Sequence, residues 1–147
     1  MAAQKGYIET ARQVQSILED VRSGIFKYVY LLMGDEPYYP DMVCDAILDN
    51  CLQEWEKDFN QTVCYGGEVD AETVITAARR FPMMAERQLV VVKEAQQMKS
   101  LEELAIYCQQ PLDSTVLVIL MHGASADNAK PFTRPSLKPA WWWILRP

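Results

Sequence analysis

Three stretches of this chain are almost purely aliphatic and aromatic: Phe26 to Met33, Leu89 to Val92 and Thr115 to Met121. A strand with one wet face alternates apolar and polar residues. A run without alternation is buried on both faces, the condition of a strand inside a parallel sheet covered by helices. The β-branched bias of Leu89-Val90-Val91-Val92 points the same way. None of the runs approaches the ~20 residues of a membrane span.

Helical patterns separate these runs. Residues 10–22 carry Val14, Ile17, Leu18 and Val21 at helical spacing, with Gly24 as a stop. Residues 40–57 read as the longest helix, with Val43, Ala46, Ile47 and Cys51 inward. A short strand, Thr62-Val63-Cys64-Tyr65, ends at Gly66-Gly67. Asp70 is placed to cap a helix running to about Arg80. Ser100 and Glu103 have the spacing of a capping box for a helix that reaches about Gln109 and stops at Pro111. Strands and helices in this alternation predict an α/β fold of three layers, P-loop-NTPase-like, with a mostly parallel sheet.

Composition splits the chain at residues 127 and 128. The whole carries 14 basic and 20 acidic residues, a net charge of −6. All the acids lie in residues 1–127, whereas 128–147 hold Lys130, Arg134, Lys138 and Arg146 and no acid. An acidic body argues against direct phosphate-backbone binding, which depends on Lys and Arg releasing counterions. The start, Met1-Ala2-Ala3-Gln4-Lys5-Gly6, lacks the apolar core of a secretory signal, so a cytoplasmic location is expected. Cys44, Cys51, Cys64 and Cys108 show no C-x-x-C spacing and read as reduced core residues. With His122 as the one histidine, neither a metal site nor a catalytic triad is expected.

Ligands of open parallel sheets bind beyond the carboxyl ends of the strands, so the loop after the first strand is a candidate site. A phosphate-binding loop there reads G-x-x-x-x-G-K-S/T. The chain instead reads Gly34-Asp35-Glu36-Pro37-Tyr38-Tyr39-Pro40-Asp41. Gly34 keeps the opening glycine, Asp35 and Glu36 repel phosphate, and no Lys-Ser/Thr pair follows. A degenerate nucleotide site is the reading, with a degenerate P-loop nucleotidase as an alternative. A receiver-like signalling domain is another, since Asp35 and Glu36 could bind magnesium and Lys93 follows a strand; no aspartate directly follows the second strand, however.

The connection from Ala77 to Gln88 breaks the rule that helix–strand loops are polar. It presents Phe81, Pro82, Met83 and Met84, with Arg79 beside them. These side chains either fold back over the core edge or form an adaptable hydrophobic plug for a partner's pocket.

At this point the sequence resembles the delta subunit family of the bacterial DNA polymerase III clamp loader. The resemblance rests on Tyr28-Val29-Tyr30-Leu31-Leu32-Met33-Gly34-Asp35-Glu36-Pro37-Tyr38-Tyr39, Asn60-Gln61-Thr62-Val63, the run from Ala77 to Gln88, and Leu89-Val90-Val91-Val92-Lys93-Glu94-Ala95. It spans about residue 10 to residue 127. It implies the first domain of an AAA+ module that has lost nucleotide binding, with no cofactor and no catalytic site of its own inside a polymerase holoenzyme. It implies the sliding clamp as partner, with motor and delta-prime subunits in one loader, DNA reached only through that complex, and no membrane. The family's clamp-binding hydrophobic pair precedes an A-x-R-Q pattern. Ala85-Glu86-Arg87-Gln88 therefore places that pair on Met83 and Met84, a departure from the larger Leu/Phe type. The helical second domain and the collar domain of the family lie beyond this sequence.

Residues 128–147 do not resemble the family. They contain Pro131, Pro135, Pro139 and Pro147 and the run Trp141-Trp142-Trp143. Tryptophan has the single codon TGG, and a run of it read one base out of register yields GTG, valine. The same shift turns Asn128 to Arg134 into Lys-Arg-Lys-Ala-Leu-Tyr-Ala and extends the valines into Val-Val-Val-Asp-Phe-Ala. A single-base deletion near codon 128 is one expectation. A genuine proline-rich aromatic tail is the other, and either is expected to be poorly ordered unless its tryptophans pack on the body.

Overall fold

The computed structural model describes residues 2–34, 38–123, 130–132 and 142–145, with backbone alone over 2–10 and 142–145. The elements are α1 (Ala2–Arg22), β1 (Val29–Gly34), α2 (Tyr38–Asn50), α3 (Lys57–Asn60), β2 (Gln61–Tyr65), α4 (Ala71–Ala78), β3 (Gln88–Lys93), α5 (Leu101–Gln109), β4 (Thr115–His122) and β5 (Trp142–Leu145). Short 3-10 turns occupy Glu54–Glu56, Ala95–Gln97 and Lys130–Phe132. The strands form one sheet in the order β2-β3-β4-β1-β5, and every pairing is parallel.

The unmixed apolar runs are explained by what covers them. Val29, Leu31 and Met33 of β1, Val90 and Val92 of β3, and Leu117, Ile119 and Met121 of β4 pack with α4 and α5. Their neighbours Tyr30, Leu32, Leu89, Val91, Val116, Val118 and Leu120 face the other way, onto α1 and α2. Successive residues of a strand point to opposite faces, so both parities must be apolar when both faces are covered. The expected α/β three-layer architecture with a parallel sheet is what the chain adopts. Strand β2 lies at the sheet edge and is only half covered, which accounts for its mixed sequence.

Strand order decides against the receiver-like reading. That fold places β1 between β2 and β3 in the order 2-1-3-4-5. Here β1 lies between β4 and β5, and β2 is at the far edge.

Several local expectations change. The helix expected over 40–57 ends at Asn50, whose Nδ2 donates to the Ala46 carbonyl at 2.7 Å. A separate turn then begins, with the Gln53 amide donating to Glu56 Oε1 at 2.8 Å. Asp70 does cap α4, accepting from the Thr73 amide at 2.9 Å. Ser100 makes no side-chain cap for its own helix; its Oγ accepts from the Ala71 amide, 3.3 Å away at the start of α4. A hydroxyl has few acceptor positions, and a neighbouring helix end competes for the same lone pair.

No disulfide joins Cys44, Cys51, Cys64 or Cys108, and Cys44, Cys51 and Cys108 are buried. Burial pushes the Cys44 thiol up to about 11 and the Cys51 thiol up to about 12, so both stay protonated and unreactive. Among the described residues no helix is long and apolar enough to cross a membrane.

The compositional boundary at 127/128 lies outside the described residues, but parts of the stretch beyond it are described. Phe132 is fully buried in the core beneath α5, and Trp142–Leu145 pairs with β1 from Val29↔Trp142 to Leu32↔Leu145. The part of the tail that is described is therefore built into the fold.

Candidate functional site

The two regions singled out in the sequence lie at opposite ends of the sheet. Gly34 closes β1 at the carboxyl edge, whereas the connection from α4 to β3 turns at the amino edge. A six-residue strand separates the two edges by about 20 Å.

At the carboxyl edge Gly34 pairs with His122, and its carbonyl accepts from the Gly123 amide at 3.0 Å. Asp35 and Glu36 lie outside the described residues. Beside Gly34, His122 bridges two acids: Nδ1 is 2.6 Å from Glu94 Oε1, and Nε2 is 2.8 Å from Asp41 Oδ1. Gln96 supports the bridge by donating from Nε2 to Glu94 Oε2 at 2.7 Å. The tie links the start of α2, the turn after β3 and the end of β4. Glu94 itself has left-handed backbone, φ 51. No sequence pattern announces this cluster, because its members are 28 and 81 residues apart.

Burial works against a charged His122 ring, but the hydrogen bonds and charges of Glu94 and Asp41 outweigh it and raise its pKa above 6.5. The His122 and Gln96 hydrogen bonds hold the Glu94 carboxyl below its ordinary 4.5. A raised histidine contributes stability that is complete below 6.5 and fades as pH rises through the raised value. A lowered carboxylate contributes stability that is complete above 4.5 and fades as pH falls through the lowered value. The tie is thus strongest between pH 4.5 and 6.5. His122→Gln is expected to flatten the decline in thermal midpoint above that window. The effect is at most about 1 kcal/mol, since both partners are partly solvated. An unaltered pH profile in the variant would rule the tie out.

At the amino edge the α4–β3 loop presents its apolar side chains to solvent. Phe81 is 79% exposed, Met83 60% and Met84 88%, while Pro82 is half-buried. The loop therefore does not fold back over the core. Its base is firmly held. Gln88 is buried, and its Nε2 lies 3.0, 3.2 and 2.6 Å from the carbonyls of Ala77, Ala78 and Arg80. Thr115 Oγ1 donates to the Ala78 carbonyl at 2.6 Å. These contacts satisfy the carbonyls that the end of a helix leaves unpaired. The Arg79 guanidinium lies 5.1 Å from the Tyr107 ring centroid, and that of Arg87 lies 4.7 Å from the Phe26 centroid. Both flanks of the loop are thereby tied to aromatic rings.

The tip carries backbone strain. Met84 has φ 55, a left-handed conformation that costs a non-glycine residue roughly 1–2 kcal/mol. Such outliers persist where surrounding contacts enforce them and gather at functional sites. Asn60 supplies one such contact. Its side chain accepts from the Met83 amide at 2.6 Å and donates to the Met83 carbonyl at 2.9 Å. Asn60 and Gln88 were not legible as site residues, because their partners lie on other elements. Both residues stand in the stretches that carry the family resemblance, but nothing in those stretches assigns them a role at the loop.

The family model for "DNA polymerase III, delta subunit" matches residues 30–138, past the boundary drawn at 127 from composition. The curated DNA polymerase III subunit delta of Bacillus subtilis is 30% identical over 137 residues, covering 86% of this chain and 40% of that protein. The solved Bacillus subtilis DNA clamp loader delta protein superposes with a TM-score of 0.76 at 26% identity, covering 91% of this chain and 42% of the other. A gamma subunit-related protein of Thermotoga maritima shares the fold, with a TM-score of 0.59 at 13% identity. The chain spans less than half the length of these relatives.

Proposed function

The chain belongs to the DNA polymerase III delta subunit family, and from that premise we propose that it is the clamp-contacting module of a replication clamp loader. The observation that carries the reading is the solvent-facing Phe81-Pro82-Met83-Met84 tip on a loop whose two flanks are anchored. Methionine is unbranched and polarisable, and suits insertion into a pocket on a partner. The partner proposed is the ring-shaped sliding clamp, with Arg79 at the edge of the contact. Motor and delta-prime subunits complete the assembly, DNA is reached only through it, and the setting is the cytoplasm.

No bond is made or broken in this role. If the tip binds the open ring more tightly than the closed one, the difference in affinity shifts the ring toward opening. The carboxyl edge is proposed to be a degenerate nucleotide site. Gly34 pairs with His122, which is bound to the acids Glu94 and Asp41, and no Lys-Ser/Thr pair follows the strand.

The test is binding of the full chain to the sliding clamp of the same organism, measured by surface plasmon resonance. Replacing Met83 and Met84 together by Ser is expected to weaken it by about a hundredfold or more, since burying each methionine is worth roughly 1.5–3 kcal/mol and every 1.4 kcal/mol is tenfold. The thermal midpoint should hold, because both side chains are exposed. Unchanged affinity would sink the proposal.

A further inference from the structure

We infer that Asn60 is the positioning residue that holds the methionine tip in its docking geometry, an inference that rests on the clamp-contacting role proposed above. Asn60 is 3% exposed and sits at the junction of α3 and the edge strand β2. Its amide meets both backbone groups of one residue 23 positions away: Met83 N–H donates to Oδ1 and Nδ2 donates to the Met83 carbonyl. Nδ2 also reaches the Glu56 carbonyl at 3.0 Å, which fixes the side chain to its own turn.

This pairing does for an isolated loop what a neighbouring strand does in a sheet. It fixes the Met83 backbone while leaving the Met83 side chain directed to solvent, and it immediately precedes the left-handed Met84. Backbone bonds to Met83 constrain the tip without occupying the side chains that would dock. Asparagine is the short side chain that can do this, because it carries an acceptor and a donor on one planar group. Aspartate keeps the acceptor and loses the donor. Alanine loses both.

A loop held in its bound conformation avoids the ordering cost of binding. A loop that occupies that conformation only part of the time has its apparent affinity reduced by the same fraction. The Asn60 amide therefore acts on partner affinity through Met83 without touching the partner.

The experiment compares Asn60→Ala, Asn60→Asp, Met83→Ser/Met84→Ser and the triple variant with Ala at position 60, all in the full chain. Affinity for the sliding clamp, amide hydrogen exchange over residues 81–86 and the thermal midpoint are read for each. Asn60→Ala is expected to weaken clamp binding about tenfold, to speed exchange at the Met83 amide, and to add nothing in the Met83→Ser/Met84→Ser background. Asn60→Asp, which retains the acceptor for the Met83 amide but turns its second oxygen against the Met83 and Glu56 carbonyls, should also weaken binding, and it serves as the probe if the alanine variant does not fold. If Met83→Ser/Met84→Ser weakens binding while neither Asn60 variant does, the positioning role is overturned and the docking role stands. If the methionine variant binds as well as wild type, the docking role falls, and with it the effect claimed for Asn60 on affinity. Unchanged exchange at Met83 in Asn60→Ala overturns the positioning role whatever the affinities.

Discussion

Phe132→Ala is expected to destabilise the protein by about 3–5 kcal/mol, the range for removing a buried phenylalanine and leaving a cavity. Phe132 is completely buried, among the residues that pack β1, β3 and β4 against α4 and α5. Its short turn, Lys130–Phe132, rests on α5. A domain of this size is stable by only ~5–15 kcal/mol, so the variant should lose a large share of its stability. Urea denaturation should show a lower midpoint at an unchanged slope. A midpoint equal to wild type would mean that this turn contributes nothing to the core.

The outcome bears on residues 128–147 as a whole. We keep as a proposal that this stretch arose from a single-base deletion near codon 128, and sequencing the DNA decides it. The shifted words place leucine where Phe132 stands and put valine, valine, aspartate and phenylalanine across Trp142–Leu145, so both readings are apolar at 132 and at three of the four β5 positions. Packing at the core tolerates exchange among apolar residues of similar size far better than a void. That is how a tail with foreign composition can still be accommodated by the sheet.

Gly66→Ala is expected to cost about 3 kcal/mol, from overpacking that no side-chain motion can relieve. A Cβ on Gly66 would stand 2.3 Å from the Glu94 carbonyl oxygen and 2.9 Å from the Ala95 Cα, both backbone atoms. The Gly66 amide already donates to the Lys93 carbonyl at 2.8 Å, so the two chain segments cannot separate without losing that bond. Gly67→Ala is the control. Its new Cβ would meet Gln97 Oε1 at 2.8 Å, the far end of a flexible side chain that can move aside. The thermal midpoint should therefore fall sharply for Gly66→Ala and only slightly for Gly67→Ala. Equal midpoints for the two variants would remove the argument. Because the clash falls on Glu94, Gly66→Ala should also weaken the Glu94–His122 contact.

The parts of the fold that were legible in the sequence are those governed by neighbours along the chain. Two-sided burial marked the runs that became β1, β3 and β4, and the Asp70 cap announced α4. The same local logic failed at Ser100, whose hydroxyl serves another helix, and beyond Asn50, where the helical pattern continued but the helix did not. At the candidate site, Phe81, Met83 and Met84 were visible as apolar residues in a loop that should be polar. Asn60 and Gln88, which shape that loop, were not, since one polar residue beside a strand carries no periodic signal.

What the sequence determined by itself was the layer architecture and the positions of the strands, because side-chain periodicity records which faces of each element meet water. Tertiary structure alone decided that β1 lies between β4 and β5, that the methionine tip stands at the opposite sheet edge from Gly34, and that its side chains point outward. Those are outcomes of pairing and packing between residues far apart in the chain, where many partners are chemically acceptable and only the closed fold selects among them.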